Sequence, residues 1–93
     1  MKVSMEIINY SYFDSDEQIQ EGQFDYDEST RATVQEAIII HLADSLGAIL
    51  THASDGYSVP EQRQIAASGL INKGITNLSC PERGLNINLS DYV

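Results

Sequence analysis

Acidic residues dominate the first third of this sequence, and their spacing limits the chemistry that they could do. Seven acids fall within fifteen residues, and no Lys or Arg lies between Val3 and Thr30. The seven are Asp14, Asp16, Glu17, Glu21, Asp25, Asp27 and Glu28. Carboxylates in such a segment can bind a metal cation, attract a basic protein, or keep the edge of a sheet from pairing with another sheet.

Calcium binding is the use that the spacing argues against. Asp14, Asp16 and Gln18 alternate as the first ligands of an EF-hand loop do. However, Ile19 stands where that loop needs Gly, and the twelfth position is Asp25 instead of Glu. We therefore expect no calcium site in this segment.

Two interpretations of the acidic segment stay open. As a charged hairpin edge, it would discourage edge-to-edge association with other sheets. As a binding surface, it would imitate a nucleic-acid backbone. Fifteen residues folded as a hairpin span roughly 25 Å, which projects one charge about every 3.5 Å. One DNA strand carries a phosphate every ~3.4 Å, so on this interpretation the seven acids contact a basic partner protein.

Two His-x-x-Asp pairs are the other candidates for metal binding. His41 and Asp44 form the first pair, and His52 and Asp55 form the second. On one continuous helix all four side chains would share a face, but the pairs would lie ~16 Å apart along the axis. That distance is too long for one ion, and we expect no metal site.

Cys80 is the one cysteine, so the chain cannot form an internal disulfide. The nearest basic residue that follows it is Arg83, and this setting favours a buried, inert thiol over a nucleophile. The sequence has no Gly-rich phosphate loop and no Ser-centred elbow. Ninety-three residues also leave little volume for a substrate pocket. We expect no cofactor and no enzymatic activity.

The acidic segment is predicted to lie on a β-hairpin at the start of one domain that spans residues 1–93. Alternating apolar residues predict a first strand from Lys2 to Phe13 and a second from Gly22 to Asp27, with a polar turn at 14–18. The phase of the first strand slips at Ile7–Ile8. That slip indicates either a bulge or a strand covered on both sides near its end.

A first helix is predicted to begin at about Thr30 or Thr33, and the sequence Thr33-Val34-Gln35-Glu36 has the form of a capping box. Its apolar residues continue to about Leu46, and it either ends at Gly47 or runs on to His52. Ile39 and Ile40 widen the apolar stripe beyond one face. Such a helix lies at the centre of the monomer core or contacts a second copy of the chain.

The second helix is predicted to begin at another capping box, Ser58-Val59-Pro60-Glu61, and to end at Gly74. A second hairpin follows, with arms at Ile75–Cys80 and Leu85–Ser90 and a turn at 81–84. The order ββααββ predicts an α+β domain in which an antiparallel sheet carries two helices on one face.

The charge balance indicates which partners are compatible. Fourteen acids face five Lys or Arg residues, which gives a formal charge of −9. Nucleic acid and anionic membranes would repel this chain, whereas a basic protein would attract it. No apolar stretch is long enough to span a bilayer, and Glu6 precedes any long apolar run, unlike in a signal peptide. We therefore expect a cytoplasmic protein.

In size and charge the chain resembles two groups of inhibitors: small acidic phage proteins that disarm restriction or CRISPR systems, and immunity proteins that block toxin nucleases. The resemblance implies an inhibitor that covers a basic surface of a nucleic-acid-binding complex or a nuclease. The alternative is a small homodimeric structural or accessory protein that uses Ile39 and Ile40 in its contact.

Overall fold

Four strands form one antiparallel sheet, and two helices cover one of its faces. The computed structural model describes residues 5–27, 32–48 and 58–93. The elements are β1 (Met5–Phe13), β2 (Ile19–Asp27), α1 (Val34–Ser45), α2 (Val59–Asn72), β3 (Asn77–Cys80) and β4 (Leu85–Asn88). The strands lie in the spatial order β2-β1-β3-β4. The α+β class and the ββααββ order predicted from the sequence are confirmed.

The β1–β2 hairpin pairs one residue with one residue along its whole described length, from Met5 opposite Asp27 to Phe13 opposite Ile19. Side chains of a strand alternate between the two faces of a sheet, so Ile8 is buried while Ile7 is 59% exposed. The predicted bulge and the predicted two-sided cover at Ile7–Ile8 are therefore both wrong. The phase slip instead marks an apolar side chain on the solvent face.

Helix α1 begins and ends where local signals place it. The Thr33 hydroxyl accepts a hydrogen bond from the Glu36 N–H at 3.1 Å, and the Glu36 carboxylate accepts one from the Thr33 N–H at 3.0 Å. After Ser45 the chain reaches Gly47 at φ +67°, a left-handed conformation that favours glycine. The helix thus ends before His52, which settles the alternative left open by the sequence.

Helix α2 begins at the predicted capping box of Ser58 and Glu61. It ends just before Gly74, whose φ of +87° also requires the conformational freedom of glycine. A side chain at Gly69 would place its Cβ 2.5 Å from the Ala48 carbonyl oxygen. The missing side chain therefore lets α2 approach the segment that follows α1.

The strands of the C-terminal hairpin are shorter than predicted because local hydrogen bonds turn the chain at both ends, although the Leu89 N–H still donates to the Thr76 carbonyl of the other arm at 2.9 Å. The N–H of Ile75 donates to the carbonyl of Leu70 at the end of α2, at 3.0 Å. At the other end, the Asn88 side chain accepts a hydrogen bond from the Ser90 N–H at 3.2 Å, and a 3-10 turn follows over Leu89–Tyr92. A second 3-10 turn, Pro81–Arg83, joins the two strands.

The core lies between the sheet and the helices. Its buried side chains are Ile8, Tyr10, Ile38, Ile39, Leu42, Ala43, Ala66, Ala67, Leu70, Ile75, Leu78, Cys80, Ile87 and Leu89. Helix α1 contacts both α2 and β2, which explains why its apolar stripe is wider than one face.

Candidate partner-binding surface

The sheet has one buried face and one open face, because both described helices lie on the same side. We call the open side the outer face. From the pairing of the strands, its residues are Ile7, Asn9, Ser11, Phe13, Ile19, Glu21, Gln23, Asp25, Asp27, Asn77, Ser79, Asn86 and Asn88. This set brings acids, apolar side chains and neutral amides together on one surface.

The acids of β2 stand on the outer face, as the predicted alternation requires. Glu21 and Asp25 are both exposed and, being four residues apart on one strand, are separated by about 13 Å. Asp27 is half-buried at the end of the strand. Glu28 lies outside the described residues. The spacing along β2 is thus wider than the roughly 3.5 Å that the sequence suggested.

Asp14 differs from the other acids of the hairpin because its carboxylate holds the turn together. One oxygen accepts hydrogen bonds from the N–H groups of Asp16 and Gln18, both at 2.9 Å, and the other accepts one from the Gln20 side-chain amide at 2.9 Å. These bonds, the one from Gln18 above all, lower the pKa of Asp14. Asp14 therefore shapes the turn that presents Asp16 and Glu17 to solvent.

The described ion pairs leave four hairpin acids without a cation. Arg63 pairs with Glu36 at 3.2 Å, and Arg83 pairs with Glu6. Asp16, Glu17, Glu21 and Asp25 are exposed and make no ion pair with any residue that the structure describes. Their combined negative potential is thus available to a basic partner.

Exposed apolar side chains lie on the same face as Glu21 and Asp25. Phe13 is 55% exposed and Ile19 is 62% exposed, and the two stand opposite each other at the turn end of the hairpin. Ile7, also exposed, lies toward the other end of β1. Sequence reasoning missed this apolar pair. The signal for an exposed apolar position was the phase slip at Ile7–Ile8, since Ile7 and Phe13 lie on the same face of β1.

A groove of about 470 Å³ runs beside the apolar pair on the outer face. Neutral polar side chains of β1, β3 and β4 form its floor, among them Ser11 and Ser79, whose hydroxyl oxygens are 2.9 Å apart. Phe13 and Ile19 line one end. The outer face therefore combines a negative strand, an apolar pair and an uncharged recess.

Of the two His-x-x-Asp pairs, for which we expect no metal site, the structure describes the first, His41 and Asp44. The His41 ring stacks on Phe24 at 4.9 Å and contacts the Tyr10 ring edge-on at 5.9 Å. Burial among these rings lowers the pKa of His41, an effect that the Asp44 carboxylate partly opposes. His52 and Asp55 lie outside the described residues. Within the described ranges no three His, Cys, Asp or Glu side chains are grouped as metal ligands would be.

Cys80 is completely buried on the inner side of β3. Burial raises the pKa of its thiol, and the positive charge of Arg83 opposes that rise only in part. A thiol in this setting is a poor nucleophile at neutral pH, and the position of Cys80 is that of a core residue.

The two isoleucines predicted for a dimer or core helix occupy different positions. Ile39 is completely buried inside one chain, so its place is the core. Ile40 is half-buried and packs against that core. The homodimer stays the alternative hypothesis, and any contact through this helix would have to use Ile40 without Ile39.

The comparisons with known proteins and the described helices do not place the chain in an established class of proteins. In the described parts of the chain, no helix has the length and apolarity that a bilayer crossing needs. No protein-family model matches the sequence, no curated protein is similar to it, and no solved structure matches its fold. The function is therefore inferred from the outer face itself.

Proposed function

We propose that this chain is a cytoplasmic, non-enzymatic inhibitor that uses the acidic side of its outer face to cover a basic surface of another protein. The partner's surface would be one that binds nucleic acid, as in a nuclease or a nucleic-acid-binding complex. The observation that carries this proposal is the exposure of Asp16, Glu17, Glu21 and Asp25, with no cation beside them in the described chain.

The physical advantage of such a surface is the speed of association. Charges on an open face attract a basic partner from a distance, and physiological salt screens that attraction beyond about 8 Å. Complementary charge can raise association rate constants from 10⁵–10⁶ to roughly 10⁸ M⁻¹s⁻¹. An inhibitor that competes with nucleic acid benefits directly, because nucleic acid approaches its own site by the same electrostatic attraction.

The spacing of the acids indicates how the competition would work. The ~13 Å between Glu21 and Asp25 corresponds to about four phosphate intervals of one DNA strand. The strand therefore does not reproduce phosphates one by one. It supplies a negative field over the partner's basic site, and the turn acids Asp16 and Glu17 extend that field to the end of the hairpin.

A charge-reversal experiment tests this function. A basic partner is recovered by affinity capture from the native host and purified, and its binding kinetics are then measured with the parent and with Glu21→Lys/Asp25→Lys. We expect the double reversal to lower the association rate constant roughly tenfold at low salt. It should also abolish the competition between this chain and duplex DNA for the partner.

The matched control is Asp44→Lys/Asp91→Lys, which reverses two exposed acids away from the outer face. Both doubles bring the formal charge from −9 to −5, since each reversal adds two charges. The control should bind at nearly the parent rate. If the two double variants lower the association rate constant equally, net charge alone is responsible. If neither changes it, the proposed use of the hairpin acids is refuted.

A further inference from the structure

We infer that the outer face binds an amphipathic basic helix of the partner, laid along the β1–β2 hairpin. This inference rests on the proposed function and specifies what the partner presents. It depends on three features of the outer face: the apolar pair of Phe13 and Ile19, the second apolar position at Ile7, and the acids Glu21 and Asp25 on the neighbouring strand β2.

The two apolar positions have a separation that a helix can match. Ile7 and Phe13 are six residues apart on one strand, or about 20 Å. Two heptads of α-helix rise about 21 Å, and residues fourteen apart return to nearly the same side of the helix. One apolar stripe on a partner helix can therefore reach Ile7 at one end and the Phe13–Ile19 pair at the other.

The acids are placed to contact the polar flank of that helix. Glu21 and Asp25 belong to β2, the edge strand next to β1, and their side chains stand on the outer face. A helix about 10 Å wide covers two strands, which are about 4.8 Å apart. Lys or Arg beside the apolar stripe would then lie above these carboxylates, so the charge of the helix and of the face are complementary.

A helix fits these observations better than an added strand. A strand paired to the free edge of β2 would use backbone groups and would leave Phe13 and Ile7 uncovered, because both stand on the face of β1. A helix on the face covers them. The groove beside the apolar pair leaves room for one large side chain from the same helix.

Synthetic peptides test this inference without knowledge of the natural partner. The probe is an 18-residue helical peptide with leucines along one side and lysines elsewhere. A second peptide has the same composition with leucines distributed around the helix, and a third replaces lysine with glutamate. Binding is measured by fluorescence anisotropy at about 150 mM salt. We expect the first peptide to bind at least tenfold more tightly than the other two.

Variants of the chain assign the binding to the outer face. Phe13→Ser/Ile19→Ser should weaken binding of the first peptide about tenfold and keep its salt dependence, because the lysine–carboxylate contacts remain. Glu21→Lys/Asp25→Lys should weaken binding and reduce the salt dependence, which Asp16 and Glu17 in part maintain. Ile65→Ser, which removes an exposed apolar side chain from α2, is the control and should bind like the parent. Circular dichroism and melting verify that each variant folds.

Failure of this inference differs from failure of the proposed function. If only Glu21→Lys/Asp25→Lys weakens binding and the two lysine peptides bind equally, the inferred amphipathic helix is wrong. Electrostatic attraction by the acids then still holds. If neither double variant changes binding, the outer face is not the site and both proposals are wrong.

Discussion

His41 shows that the surroundings of a residue, and not its spacing in the sequence, decide its chemistry. Its spacing from Asp44 suggested a metal ligand, whereas the fold places its ring against Phe24 and Tyr10. No pattern within α1 indicates this contact, because both aromatic rings come from the sheet. The contact does have a thermodynamic consequence, since it favours the neutral imidazole in the folded chain.

Replacing His41 with Phe should change how stability depends on pH. Burial lowers the pKa of His41 in the fold. Below about pH 6.5 the imidazole therefore binds a proton more readily in the unfolded chain than in the folded chain. The free energy of unfolding of the parent should therefore have its full value above about pH 6.5. It should fall as pH drops from about 6.5 toward the lowered pKa of His41. His41→Phe keeps an aromatic ring and removes the titration. Urea unfolding at pH 7.5 and 5.5 should show a smaller loss in the variant, and equal losses would contradict the assignment.

The elements differ in how far their bounds could be predicted, and the reason is the kind of sequence signal that marks each end. Both capping boxes were predicted correctly because such a box is complete within four residues, and for α1 the structure selects Thr33 over Thr30 as the cap. The arms of the second hairpin were predicted too long, since Ile75 and Leu89 fit strand alternation. Both are buried, but as parts of turns that contact other elements. The hydrogen bonds at these ends, from Ile75 to Leu70 and from Ser90 to Asn88, depend on local backbone conformations that apolar alternation does not indicate.

The candidate surface was predicted in part for the same reason. The acids of the hairpin were found from composition, and their alternation on β2 was read correctly. The pairing of Phe13 with Ile19 was not found, because it depends on the strand register, and the predicted second strand began only at Gly22. The role of Asp14 in the turn also depends on atoms of three other residues.

Helix α1 is the element whose packing should matter most to stability. Leu42 is 1% exposed between the sheet and α2, so Leu42→Ala removes buried apolar surface and leaves a cavity. The expected loss is about 2–5 kcal/mol in the free energy of unfolding, out of the roughly 5–15 kcal/mol typical of such domains. Ile65→Ala on the exposed side of α2 should lose far less. Urea denaturation of both variants checks this, and similar midpoints would contradict the burial of Leu42.

At the scale of the whole molecule, the two faces of the sheet differ in burial and composition. The inner face and the helices form the core, whereas the outer face holds acids and apolar side chains that contribute little to it. The charge of −9 also bears on self-association, because two copies repel each other. The apolar side chains of α1 already pack within one chain, so a second copy is not needed to bury Ile39.

We therefore expect the isolated chain to sediment as a monomer at micromolar concentration, in about 150 mM and in about 500 mM salt. The higher salt shortens the screening length, so any dimer that charge repulsion alone suppresses should appear there. A dimer in either buffer that Ile40→Glu converts to a monomer would favour the alternative of a homodimeric accessory protein. A dimer that persists in Ile40→Glu would direct attention to Phe13 and Ile19 instead.

The open outer face also has an evolutionary consequence. Substitutions there change what the chain presents to other molecules without disturbing the residues that make it fold, so the surface can diverge quickly while the architecture persists. A lineage under pressure to follow a changing target would accumulate replacements at Phe13, Ile19, Glu21 and Asp25, and would retain the two capping boxes and the left-handed glycines. The same separation makes the outer face a suitable place to diversify in a library, because selection for new binding there would rarely compete with selection for folding.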